Sequence, residues 1–84
     1  MERSAAYYAE RAKYISPDCH EYVRQIFNPL RTNQPEELYY KLCDSILSLR
    51  RKYELKVFDL SCRQCLEYGV YTYRKFESIL KHNS

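Results

Sequence analysis

The chain has 84 residues, 30% charged and 45% apolar, with one Gly and three Pro. That profile fits one small helical domain: breakers are too few for a many-stranded β fold, and no basic-then-apolar leader opens the chain. No apolar run approaches the ~20 residues of a membrane span, and the net charge of +3 is unevenly placed.

Residues 1–49 hold six basic and seven acidic side chains, net −1, whereas residues 50–84 hold eight against four, net +4. The other unusual total is tyrosine, ten residues beside three Phe and no Trp. A chain of this size buries roughly 60–65% of its unfolded surface, so every large ring matters to a thin core.

Five helices with short connections are expected, making an all-α bundle of compact form. The first runs over about residues 3–14, where Ala5, Ala6, Ala9 and Ala12 supply propensity. Ser16-Pro17-Asp18 is a start signal, with Ser16 as N-cap, Pro17 at the first helical position and Asp18 in the first turn. The second helix then carries Val23, Ile26, Phe27 and Leu30 and breaks near Asn28-Pro29.

Pro35-Glu36-Glu37 opens the third helix, with Leu38, Leu42, Ile46 and Leu49 as its core stripe and Arg50, Arg51 and Lys52 at its negative end. Phe58, Cys62, Cys65 and Leu66 adjoin a second face of Val57, Leu60 and Gln64 on the fourth helix, which should be the most buried. Gly69 stands where a left-handed cap is expected, and Thr72 caps a fifth helix with inner residues Phe76, Ile79 and Leu80.

Cysteines fall at 19, 43, 62 and 65. Without a secretory leader, reduced thiols in a cytosolic setting are the default. Cys62-Arg-Gln-Cys65 lies inside a helical stretch, with no second such pair. A zinc set of Cys19, His20, Cys62 and Cys65 lacks the two close ligand pairs usual in structural sites. Four small buried thiols, with no metal and no cofactor, are expected. Catalysis is not expected either, because Asp18, Asp44 and Asp59 fall on three different helices, the latter two facing solvent, and no nucleophile is paired with a base.

Arg50, Arg51, Lys52 and Lys56 surround the junction of the third and fourth helices, and Arg74, Lys75 and Lys81 lie on the fifth, interleaved with Tyr53, Tyr71 and Tyr73. Cations with aromatics suit a phosphate backbone. Residues 55–79 also pass for a helix-turn-helix with Thr72–His82 as reader, although that reader has no Asn or Gln for adenine. Among the tyrosines, Tyr53 and Tyr73 are assigned to helix junctions, and Tyr22, Tyr39 and Tyr68 to the core. Tyr7, Tyr8, Tyr14, Tyr40 and Tyr71 exceed what packing needs and are candidate protein contacts.

From Cys43 onward the order of residues resembles a known family. Cys43-x-x-Ile46-Leu47-x-Leu49-x-x-x-Tyr53 is followed by Cys62, Leu66-x-x-Gly69, Thr72-Tyr73-Arg74 and Ser78-Ile79-Leu80-Lys81. This is similar, without a gap, to the C-terminal segment of the IstA-type transposases of bacterial insertion sequences (the IS twenty-one family). Pro35-Glu36 and Ala12-Lys13-Tyr14-Ile15 extend the likeness to about residues 12–82. Glu54 replaces the glycine that follows the family's tyrosine, and Leu60 and Cys65 replace family alanines.

The resemblance implies a non-catalytic C-terminal domain of a longer DNA transposase whose RNase-H-like Asp-Asp-Glu domain performs recombination. It implies a bacterial, cytoplasmic, nucleoid-associated setting. The implied role is assembly of the transposase–DNA complex by protein contacts. Partners would be the rest of the transposase chain, other transposase subunits, an IstB-like AAA+ ATPase and the DNA backbone, with no membrane. DNA-backbone binding through the basic clusters near 50–56 and 74–81 is the alternative.

Overall fold

In the computed structural model, which describes residues 3–84, the helices are α1 (Ala5–Lys13), α2 (Pro17–Ile26), α3 (Glu36–Ser48), α4 (Leu55–Tyr68) and α5 (Tyr73–Asn83). A single 3-10 turn, Leu49–Arg51, continues α3. No strand occurs among the described residues. The all-α bundle expected from composition is the fold.

Local chemistry sets most boundaries. Ser16 accepts a hydrogen bond from the Cys19 amide at 3.0 Å and Pro17 begins α2. Thr72 accepts from the Lys75 amide at 3.3 Å and starts α5. Gly69, at φ 67°, closes α4 in the left-handed region, where a Cβ would be strained even though nothing crowds that position. At the first helix, Ser4 caps the chain through the Tyr7 amide, so α1 starts two residues after the expected Arg3.

The core is built from Tyr8, Ala12, Cys19, Tyr22, Val23, Ile26, Cys43, Ile46, Leu47, Leu49, Phe58, Cys62, Cys65, Phe76 and Leu80. α2 packs against both α1 and α4, and α5 lies on α4 and α3. The radius of gyration is 11.8 Å, matching the ~12 Å of a well-packed chain of this length. All four cysteines are free and buried, as expected.

Several side chains depart from the sequence-based expectation. Leu30 lies beyond the end of α2 and is 96% exposed. Asn28 has closed the chain into a turn there, its side chain accepting from the Leu30 amide and its carbonyl from those of Arg31 and Thr32. Along α3 and its 3-10 extension, Leu42, Ile46 and Leu49 of the expected stripe lie inward together with Tyr39, Tyr40, Cys43 and Leu47, but Leu38 is 49% exposed. Rings occupy the inner side at that end of the helix: Tyr40 stacks on Tyr8 at 5.5 Å and Tyr39 meets Phe27 edge-on at 6.4 Å.

α4 buries one face, Phe58, Ser61, Cys62 and Cys65, while Leu60 looks outward. The most enclosed helix is α2, flanked on two sides, with four buried residues in ten against four in fourteen for α4. Tyr68, expected in the core, is the last residue of α4 and is 67% exposed. Asp44 faces the bundle edge: it accepts from the Tyr8 hydroxyl at 2.9 Å and pairs with Arg3 and Arg11. One oxygen of Asp59 is also buried.

Candidate nucleic-acid interface

The cations expected to meet a phosphate backbone occupy two neighbouring elements. Arg50 and Arg51 lie in the 3-10 turn, with Lys52 directly after it and Lys56 in the first turn of α4. Their emergence there follows from the helix break: the turn buries Leu49 and rotates the following side chains outward. Arg50 is the exception, since its guanidinium donates to the Tyr53 carbonyl at 3.0 Å and ties the turn together. Arg51, Lys52 and Lys56 are exposed.

α5 supplies the second group. Arg74, Lys75, Ser78, Lys81 and His82 recur at three- and four-residue spacings and are all exposed, opposite the buried Phe76 and Leu80. Ser78 and His82 were not among the predicted site residues, although the spacing from Arg74 carried the signal. Lys81 is partly engaged, 3.9 Å from Glu77. Tyr73 donates to Glu77 at 3.3 Å. Burial and Glu77 hold its phenol above the ordinary value, and Tyr53 adds to the effect. α5 also packs against α3, the helix that the 3-10 turn continues.

Ion pairing is distributed unequally. Arg3 and Arg11 pair with Asp44, Arg24 with Glu21 and Arg63 with Asp18. Among the described residues, Arg51, Lys52, Lys56, Arg74 and Lys75 enter no ion pair, with Glu54 the exposed acid in their midst. Lys13, Arg31, Lys41 and Arg50 are likewise without one, but Arg31 lies over the Tyr71 ring and Arg50 is held by the Tyr53 carbonyl, while Lys13 and Lys41 lie on α1 and α3.

The helix-turn-helix option does not match the arrangement of α5. Asn83 donates to Ser61 at 3.0 Å and to Gln64 at 2.8 Å, folding α5 back along α4 as an antiparallel hairpin. A recognition helix instead leaves its partner at a wide angle.

The tyrosines divide differently from expectation. Tyr8 is completely buried and belongs to the core, so it is withdrawn from the candidate contacts. Burial, then the hydrogen bond to Asp44, pushes its phenol up to about 12. Tyr7 packs edge-on against it at 5.0 Å, and Tyr40 bonds to Glu36 at 2.7 Å while stacking on Tyr8. Tyr71 is stacked on Tyr22 at 5.3 Å and covered by the Arg31 guanidinium at 3.9 Å. Of the five, Tyr14 remains open, at 85% exposure.

The carboxylates and thiols have other engagements. Asp18 receives two hydrogen bonds from Arg63, joining α2 to α4. Among the described residues no group of three His, Cys, Asp or Glu converges in a way that could hold a metal ion. Burial raises the Cys43 thiol to about 12 and the Cys65 thiol to about 11. The Cys62 thiol is pushed up chiefly by its hydrogen bond with Cys19. Protonated, enclosed thiols are poor nucleophiles.

Fold and surface together define a small helical bundle in which, among the described residues, five exposed cations without ion pairs lie in the 51–56 segment and the first turn of α5. No family model, curated protein or solved structure matches the chain.

Proposed function

We propose that this chain is a non-catalytic helical module that holds a DNA backbone through the basic region formed by the 50–56 segment and the start of α5. The supporting observation is the cluster of five exposed cations without ion pairs among the described residues, flanking Tyr53 and Tyr73. Free guanidinium and ammonium groups neutralise phosphates and release counterions, a sequence-independent source of affinity. The one Asn of α5, Asn83, donates its amide to Ser61 and Gln64, and α5 has no Gln, so the reading is of backbone and not of bases. The resemblance to IstA-type transposases makes duplex DNA in a transposition complex the expected context.

Fluorescence anisotropy with duplex DNA tests this. Binding should weaken steeply with salt. The combined variant Arg51→Ala, Lys56→Ala and Arg74→Ala should lower the log–log salt slope by about 3 if each side chain meets one phosphate. No binding at low ionic strength would reject the proposal.

A scaffold role in transposase assembly is the second reading, favoured by the open rings of Tyr14 and Tyr68, 85% and 67% exposed. It predicts that Tyr14→Ser lowers affinity for the parent transposase or its helper ATPase without changing thermal stability, measurable by calorimetry. Absence of binding to either partner counts against it.

A further inference from the structure

Between α4 and α5 lies a groove of about 330 Å³ lined by Tyr68, Val70, Lys75, Ser78 and Ile79. Its walls are mainly apolar, Tyr68 is 67% exposed, and Lys75 at its edge has no ion pair among the described residues. The first turn of α3 presents the opposite chemistry. Glu37 and Leu38 are consecutive and exposed, Leu38 to 49%, and Glu37 enters no ion pair among the described residues. Since Leu38 is exposed, it does not fill the groove of its own chain. The chain thus carries an apolar groove with a cation and, elsewhere, an apolar side chain with an anion.

We infer that the groove receives the first turn of α3 from a second copy of this chain, with Leu38 against Tyr68 and Ile79 and Glu37 on Lys75. Charge complementarity selects this occupant: Glu37 and Lys75 are both exposed without ion pairs among the described residues, whereas the comparable exposed pair Glu54–Leu55 lies among the cations Arg51, Lys52 and Lys56. A leucine beside an aromatic ring supplies the apolar anchor, and the ion pair fixes register. Because the two patches differ, the contact is heterologous. It closes into a ring or pair when two copies satisfy both patches mutually, and extends into a chain when they do not.

Sedimentation velocity of the 84-residue chain, without nucleic acid, tests the inference. The sedimentation coefficient should rise with protein concentration. Glu37→Lys and Lys75→Glu should each weaken association by roughly tenfold or more, because each puts like charges together. Mixing the two variants restores both opposite-charge contacts, so association should return in the equimolar mixture, which also shows that both variants are folded. A wild-type chain that stays monomeric, single variants that still associate, or a mixture that does not recover would each overturn it. Glu37→Lys separates this site from the DNA-binding reading: it should lose self-association while retaining DNA binding, because Glu37 lies outside the basic clusters.

Discussion

Raising the pH through 10–11 should unfold this bundle cooperatively, with loss of helical circular dichroism and ionisation of the buried phenols in the same transition. Tyr8 and Cys43 are each held up to about 12 and Cys65 to about 11, against ordinary values of 10.0 for the phenol and 9.0 for the thiols. Tyr22 and Cys62 are also pushed up, Tyr22 first by burial and then by Cys65. In all five the fold retains a proton that the unfolded chain gives up at lower pH. Their stabilising contribution is therefore complete below the unfolded-state pKa values and is lost as pH rises toward the folded ones. Each group costs about 1.4 kcal/mol per pH unit once its unfolded form has ionised. Five acting together remove about 7 kcal/mol per unit, against a total stability of about 4–13 kcal/mol for a domain of this size. A gradual phenol titration with helicity intact at about pH 12 would contradict this account.

Phe76→Ala should be the most damaging single truncation, costing about 3–5 kcal/mol. Phe76 is fully buried on α5, stacked on Tyr22 at 5.4 Å and meeting Phe58 edge-on at 5.4 Å. One ring therefore joins α2, α4 and α5, and its removal leaves a cavity where three helices meet. Ile79→Ala, one turn away and only half-buried, should cost much less. Urea denaturation of the two variants provides the comparison. Similar midpoints for both would show that the aromatic junction does not hold the helices together.

Helix starts were legible because their signals are local. Ser16-Pro17, Thr72 and Gly69 each act within a turn of themselves, and each acts as the sequence implies. Facing is another matter, because it depends on what the other helices bring. Nothing near Leu38 announces that Tyr8 and Phe27 will draw Tyr40 inward beside Tyr39 while Leu38 is left outside. Tyr8 itself looked like surplus on an alanine-rich helix, since its hydroxyl partner, Asp44, is 36 residues away. The basic residues could be enumerated from the sequence, whereas their lack of ion pairs depended on where Asp18 and Asp44 were spent.

Asp44 has one more consequence. A single carboxylate on α3 receives the Tyr8 hydroxyl and both Arg3 and Arg11, and α1 contributes only two buried residues, Tyr8 and Ala12. The first helix is thereby fastened to α3 at one polar node, its main packing being against α2. Its release breaks one polar node and uncovers two side chains, leaving the Phe58–Phe76–Tyr22 junction closed. In native-state hydrogen exchange, amide protons of α1 are expected to exchange through an opening below the global one, and those around Phe76 only through global unfolding.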